Sequence, residues 1–163
     1  MDCDELERMR TQVTKTEPGL TRPAVILLVE DNPADAELAM IGLRSGHHTI
    51  SVHTVETGEE AMAFLRREGD RAEAPRPDLI LLDLNLPGMD GSEVLQEVKS
   101  DPALRTIPVV ILTTSSAPPE IHSAYSNHAN AFMTKPVHLD ELNNLMGQLQ
   151  EYWFGLVHLP PTG

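Results

Sequence analysis

The chain has little of the chemistry that marks disulfide-bonded, zinc-binding or membrane-spanning proteins. Only one of its 163 residues, Cys3, is a cysteine, so neither an internal disulfide nor a zinc site built from several cysteines can form. This cysteine usage fits a reducing, cytoplasmic environment. The longest aliphatic run, residues 25–29, is far shorter than the roughly 20 residues that cross a bilayer. The acidic N-terminus, residues 1–5, lacks the apolar stretch of a signal peptide.

Basic and aromatic residues are also scarce. The chain has 12 lysines and arginines against 25 aspartates and glutamates, which gives a formal net charge of −13. A surface with this charge repels nucleic acids and anionic lipids, so we expect neither as a partner. Basic proteins or bound cations suit it better. Aromatic residues make up 4% of the chain, yet Tyr152, Trp153 and Phe154 stand together near its end.

The pattern of apolar segments predicts one α/β domain. Five apolar or β-branched segments alternate with five helical segments, and continuous rather than alternating apolar runs indicate strands buried on both faces. We therefore predict a doubly wound, five-stranded parallel sheet within residues 24–150. Residues 1–23 are predicted to be a flexible leader with at most one short helix, and residues 151–163 a C-terminal arm. The strands are expected at 24–29, 49–55, 79–83, 107–113 and 130–134, with the last helix over 138–150.

Charged and hydroxyl side chains come at the points where predicted strands end. Glu30 and Asp31 follow the first strand, and Asp83 ends the third. Thr113 ends the fourth strand, and Lys135 follows the fifth. Because ligands of open α/β sheets bind outside the carboxyl ends of the strands, we expect these side chains to meet at one edge.

Three carboxylates at one edge repel one another unless a cation lies between them. Ligands that are all oxygen favour Mg²⁺, Mn²⁺ or Ca²⁺ over Zn²⁺, and Mg²⁺ readily accepts phosphate oxygens as further ligands. Lys135 can neutralise one phosphate oxygen, and the hydroxyl of Thr113 can donate a hydrogen bond to another. The set suits a carboxylate that accepts a phosphoryl group, with catalysis by positioning and charge neutralisation.

The motifs at these positions resemble the receiver domain of two-component response regulators. The resemblance extends over about residues 24–150, and the motifs fall in the same order as in that family: Val29-Glu30-Asp31-Asn32, Asp83, Leu86-Pro87-Gly88-Met89-Asp90-Gly91, Leu112-Thr113-Thr114 and Thr134-Lys135-Pro136. It implies a flavodoxin-like (βα)5 fold. It also implies a protein that is not an enzyme in the ordinary sense but takes part in its own phosphorylation and dephosphorylation.

The resemblance implies a role for each matching residue. Asp83 matches the phosphoacceptor, and Asp31 matches the direct ligand of Mg²⁺ or Mn²⁺. Glu30 stands where the family usually has a second aspartate, and it is expected to bind the metal directly or through water. Asn85 matches the residue whose backbone carbonyl binds the metal.

Three further residues match the parts of the family that sense the phosphoryl group. Thr113 matches the switch hydroxyl, and Lys135 matches the lysine that contacts the phosphate. Phe132 matches the switch aromatic; a plain core aromatic is the alternative. The implied phosphodonor is a histidine kinase.

A narrower resemblance concerns the small single-domain regulators that are paired with bacterial phytochrome kinases. It rests on the Asn-Pro pair after Asp31, the loop 74–77, the segment 113–116 and the tail from Trp153 to Pro160. It implies a light-sensing phytochrome histidine kinase as the phosphodonor and a dimeric regulator.

Apolar residues near the C-terminus recur at intervals typical of a helix seam, namely Leu139, Leu142, Met146, Leu149, Trp153 and Leu156. One helix over this span measures about 26 Å. A five-residue strand is only ~17 Å long, so the seam should extend past the sheet. We therefore expect a homodimer or partner surface, rather than a tail folded back on its own domain, built from Leu149, Tyr152, Trp153, Phe154 and Leu156.

Two other classes of function remain open from the residues. One is a phosphatase of the haloacid dehalogenase type, which also uses a strand-end aspartate with Mg²⁺. Such enzymes carry a second aspartate two residues later as acid and base, and Asn85 at that position cannot take this role. The other is an inert receiver-like scaffold that only dimerises, against which the set Asp31, Asp83, Thr113 and Lys135 argues.

Overall fold

The computed structural model describes residues 22–161, in which strands and helices alternate as predicted. The strands are β1 (Ala24–Val29), β2 (Ile50–Val55), β3 (Leu79–Leu82), β4 (Val109–Thr113) and β5 (Ala131–Thr134). The helices are α1 (Pro33–Arg44), α2 (Gly58–Arg66), α3 (Gly91–Ser100), α4 (Pro118–Ser126) and α5 (Leu139–Gln150). A 3-10 turn covers Gly69–Arg71, and a π-helical segment, Glu151–Leu156, continues α5. The short helix considered for the leader lies outside the described residues.

All five strands are parallel, and their order in the sheet is β2-β1-β3-β4-β5. The predicted fold class is confirmed. Strand β4 begins at Val109, two residues later than predicted, because Pro108 has no N–H to give to a ladder. The order of strands reverses between β1 and β3, so the crevice at their carboxyl ends is the expected place for a ligand.

Each face of the sheet is covered by helices that bury an apolar stripe. On one face α2, α3 and α4 pack over alternate residues of the strands, including Leu27, Ile80 and Ile111. On the other face α1 and α5 pack over Ile26, Leu81 and their neighbours. Burial on both sides explains why the strand sequences are continuously apolar.

The start of α1 is fixed by a local cap. The side chain of Asn32 accepts hydrogen bonds from the backbone N–H groups of Ala34 (3.0 Å) and Asp35 (3.2 Å), and Pro33 occupies the first helical position. The carboxylate of Asp35 is thereby available for another contact.

The C-terminal segment folds back onto the domain, which corrects part of the interface prediction. Leu149 and Phe154 are buried in the core under α1 and α5, and Trp153 packs partly against the same core. Their apolar surface is covered by this chain, since the helix seam turns toward the sheet. Tyr152 and Leu156 remain exposed. Within residues 22–161, no helix combines the length and apolar character needed to span a bilayer.

Candidate functional site

The register of the sheet brings the predicted site residues to one edge. Val29 of β1 pairs with Leu82 of β3, so Glu30 and Asp83, the next residues along each chain segment, emerge side by side. On the other side Thr113 pairs with Thr134, and the N–H of Lys135 donates to the carbonyl of Thr113 at 2.7 Å. The structure therefore places these side chains at the carboxyl ends of β1, β3, β4 and β5, as the strand-end argument predicts.

Three carboxylates lie close enough to share one cation. Glu30, Asp31 and Asp83 each offer an oxygen, and these oxygens lie within 4.8 Å of one another. Glu30 and Asp83 are buried, whereas Asp31 is exposed at the mouth of the crevice. Oxygen-only ligands of this kind fit a hard divalent cation that keeps water or takes phosphate oxygens in its open positions. The arrangement is therefore capable of holding Mg²⁺ or Mn²⁺.

Lys135 supplies the positive charge of this edge. Its Nζ lies 2.6 Å from Oε2 of Glu30 and 3.3 Å from Oδ2 of Asp83. A third carboxylate, that of Asp35, lies 3.3 Å from the same nitrogen. With exposed Asp31 included, this edge of the sheet holds four carboxylates and one ammonium, which is an excess of three negative charges when all of them are ionised. A divalent cation would remove most of this excess.

Burial and charge shift the pKa values of the central pair. Burial raises the pKa of Glu30, and hydrogen bonds from Lys135 and from the N–H of Asn32 oppose the shift without cancelling it. Burial by itself lowers the pKa of Lys135, but the hydrogen bond to Glu30 and the charges of Asp83, Glu30 and Asp35 outweigh it, so the pKa is raised. Lys135 is therefore held firmly in its charged form.

The backbone fixes the carboxylate of Asp83 from below. Its N–H donates to the carbonyl of Val29 at 3.1 Å, and its Oδ1 accepts from the N–H of Asn85 at 3.0 Å. The amide of Asn85 reaches Oγ1 of buried Thr113 at 3.4 Å. Asp83 and Thr113 are therefore linked through Asn85.

Gly91 allows the start of α3 to approach Asp83 closely. A Cβ added at Gly91 would stand 2.1 Å from the backbone oxygen of Asp83, which no larger residue can tolerate without moving the backbone. Gly88 adopts a left-handed φ of +69° in the same loop. The Pro-Gly turn and the following glycine are thus required by the loop that positions Asp83.

Phe132 lies on the edge strand β5, where it pairs with Ile111 and is partly buried against the core beneath α2, α3 and α4.

The sequence did not indicate Asp35 as a site residue. Its signal was its place in the first turn of a helix that begins at the acidic edge. The aromatic cluster of the tail lies elsewhere: Phe154 lines a cavity of about 340 Å³ with Arg22 and His48.

Comparison with known proteins gives a consistent result. Residues 26–146 match the response regulator receiver domain. The chain is 43% identical over 138 residues to the response regulator Rcp1 of Synechocystis sp., which covers 85% of this chain and 94% of that protein.

Solved structures agree with the sequence match. The phosphorylated cyanobacterial phytochrome response regulator RcpA superposes with a TM-score of 0.83 at 47% identity, over 86% of this chain and all of that one. The Mn²⁺-bound form of Rcp1 gives a TM-score of 0.81 at 42% identity, over 85% of this chain and 100% of that one. The bacteriophytochrome response regulator RtBRR gives 0.68 at 39% identity, over 86% of each chain.

Proposed function

This chain belongs to the response regulator receiver family, and from that premise we propose that Asp83 accepts a phosphoryl group from a histidine kinase. The observation that carries the proposal is the pairing of buried Asp83 with the ammonium of Lys135, at 3.3 Å. Asp83 also belongs to a cluster of three carboxylates that is able to hold a divalent cation. The Asn85 side chain at the position of a phosphatase's acid–base donates to Thr113, which does not favour a haloacid dehalogenase-type enzyme.

The proposed step is a transfer of the phosphoryl group between two nucleophiles. An oxygen of Asp83 attacks the phosphorus of the donor, the new P–O bond forms, and the bond from phosphorus to the imidazole nitrogen of the kinase histidine breaks. Mg²⁺ held by Glu30, Asp31, Asp83 and the carbonyl of Asn85 would supply charge neutralisation. Lys135 contacts a phosphoryl oxygen and offsets the negative charge that the acyl phosphate brings. The protein thereby takes part in its own phosphorylation.

The proposed response uses Thr113 and Phe132 as a local switch. A phosphoryl group on Asp83 draws the hydroxyl of Thr113 toward it, and Phe132 turns to fill the space that Thr113 leaves. The partly buried position of Phe132 supports this role, since a ring at the edge of the core can move without unpacking it. The consequence is a changed surface on α4, β5 and α5.

For the phosphodonor we propose a phytochrome histidine kinase in the cytoplasm. The similarity to RcpA, Rcp1 and RtBRR over nearly the whole described chain supports this partner. The net charge of −13 supports protein contact rather than nucleic acid or membrane binding as the output.

We further propose that the protein forms a homodimer through exposed apolar residues of the tail, chiefly Tyr152 and Leu156, together with partly buried Trp153. Sedimentation equilibrium tests this surface. Leu156→Glu should yield monomers, whereas Ile41→Glu, at another exposed apolar residue, on α1, should leave the dimer intact. Identical masses for the two variants would refute the proposed surface.

Phosphotransfer tests the central proposal. Purified protein is mixed with a ³²P-labelled phytochrome kinase or with labelled acetyl phosphate, with Mg²⁺ or with EDTA. We expect one label per chain, dependent on Mg²⁺, and none on Asp83→Asn. The matched control is Asp90→Asn. It removes an acid of the same loop that is not one of the three clustered carboxylates, and this variant should still accept label. Full labelling of Asp83→Asn, or continuous release of phosphate from monoesters, would refute the assignment.

A further inference from the structure

Asp35 is a third carboxylate contact of Lys135 and differs from the other two. The ammonium has three N–H groups, and Glu30, Asp83 and Asp35 each accept from the same nitrogen. Glu30 and Asp83 also belong to the cluster of three carboxylates that can hold a cation, whereas Asp35 does not. Asp35 is therefore the one acceptor of this set that a bound cation would not share.

The position of Asp35 is determined by the helix that carries it. Asn32 caps α1 through the N–H of Asp35 itself, so the first turn is fixed and the carboxylate of Asp35 projects over Lys135. The side chain of Asp35 is 37% exposed, against 7% for that of Lys135. A partly exposed ion pair adds little to folding stability. Its effect should instead be felt in the direction of the Lys135 N–H groups.

We propose that Asp35 is a positioning residue for phosphoryl transfer to Asp83. It holds the ammonium of Lys135 from the side of α1, and Glu30 holds it from β1, so that the remaining N–H points at the oxygens of Asp83 and at the incoming phosphoryl group. The inference rests on the proposed function and extends it to a residue outside the motifs of the family. Small misplacements of a charge-neutralising group are enough to slow a transfer that depends on positioning.

Rates of phosphorylation by acetyl phosphate at saturating Mg²⁺ test this role, because a small-molecule donor removes any effect of the substitution on binding to a kinase. Asp35→Ala should slow the transfer about tenfold, whereas Asp35→Asn, which keeps an acceptor oxygen, should slow it about twofold. Glu37→Ala removes an exposed acid from the same helix and makes none of these contacts, so it should leave the rate unchanged. In a Lys135→Met background, Asp35→Ala should have no further effect.

A second measurement does not depend on phosphorylation. With Mg²⁺ bound, the ¹⁵N–¹H signal of the Lys135 ammonium should persist in the Glu37→Ala variant and broaden in Asp35→Ala, because a loosely held ammonium exchanges its protons with water. Equal rates for Asp35→Ala and the parent protein, or equal losses for the alanine and asparagine variants, would overturn the inference while the phosphoacceptor proposal stands. Failure of the parent protein to accept any phosphoryl group would overturn both.

Discussion

Strand β3 carries a buried aspartate at each end, and the two are treated very differently. Asp78 precedes Leu79 and Asp83 follows Leu82, and each is 7% exposed. Arg22 donates to both oxygens of Asp78, at 2.7 and 2.8 Å, and the N–H of Val25 donates to it at 2.8 Å. Asp83 instead has part of one ammonium, which it shares with Glu30 and Asp35.

The difference separates a structural ion pair from a site prepared for chemistry. At Asp78 one guanidinium balances one carboxylate, so nothing is left to bind a ligand. At Asp83 the carboxylates outnumber the ammonium, and the excess charge is tolerated because the crevice is open to water and to a cation. The same residue type on the same strand thus stabilises the fold at one end and is available for phosphoryl transfer at the other.

The largest effect on stability is expected at the end of β3 where Asp78 is balanced by Arg22, called the balanced end below; the end at Asp83 is called the acidic end. Asp78→Ala removes the acceptor of the guanidinium and of the Val25 N–H, and should lower the free energy of unfolding by about 3 kcal/mol. Urea unfolding measures this, with Glu73→Ala, an exposed acid of the preceding loop, as control. A loss below about 0.5 kcal/mol would show that Asp78 is not a structural ion pair in this sense.

The next effect concerns only the acidic end. Mg²⁺ at one hundred times its dissociation constant should raise the free energy of unfolding by about 2.7 kcal/mol. Asp31→Asn and Asp83→Asn should abolish most of this gain, because each removes a carboxylate of the group. An Asp78→Asn protein, measured in parallel, should respond to Mg²⁺ as the parent does. A response lost equally in all three variants would erase the distinction between the two ends.

Without metal, the two aspartates should respond to substitution with opposite signs. In EDTA, Asp83→Asn should raise the free energy of unfolding by about 1 kcal/mol, because it removes a like charge beside Glu30 and Asp31. Lys135 keeps Glu30 and Asp35 as acceptors, so no buried charge is left unpaired. Thermal unfolding in EDTA measures this. Destabilisation by Asp83→Asn would mean that its carboxylate serves the fold as Asp78 does.

The smallest effect is the pH dependence of stability in alkaline solution, where two lysines should act in opposite directions. Burial lowers the pKa of Lys99, whose Nζ donates to the carbonyls of Arg105 and Ile107, whereas the pKa of Lys135 is raised. The unfolded state then binds more protons than the folded state at Lys99, so stability due to Lys99 grows as pH rises toward 10.5. The contribution of Lys135 is complete below 10.5 and is lost as pH rises above it.

The free energy of unfolding of Lys99→Met, Lys135→Met and the parent protein is measured between about pH 8 and 11, in steps of roughly half a pH unit. The comparison shows how the contribution of each lysine changes with pH. The parent's advantage over Lys99→Met should grow with pH, and its advantage over Lys135→Met should shrink at the highest values. Parallel curves for both variants would contradict the assigned directions.

The acidic end was largely predictable from the sequence, and the balanced end was not. Glu30, Asp83, Thr113 and Lys135 each directly follow or end an apolar segment, and parallel strands carry such residues to one edge. The pairing of Arg22 with Asp78 joins residues 56 apart at the amino ends of strands, where no motif indicates which charges meet. Asp35 escaped prediction for a similar reason, since its partner is supplied by the fold rather than by neighbouring residues.

The tail shows where periodicity misleads. A helix seam from Leu139 to Leu156 indicates an apolar face but not what covers it. In the structure Leu149 and Phe154 are covered by the domain itself, so the surface left for a partner is smaller than the seam. The direction in which a helix continues past the sheet depends on tertiary packing, which a single sequence does not encode locally.

Chemical trapping of the acyl phosphate tests the central claim most directly. The protein is incubated with acetyl phosphate and Mg²⁺, reduced with borohydride, which converts an aspartyl phosphate to homoserine, and digested for peptide mass spectrometry. The account predicts homoserine at position 83 alone, and none when Mg²⁺ is replaced by EDTA. Homoserine at another acidic position, or an unchanged position 83 in protein that has gained a phosphoryl group, would contradict it.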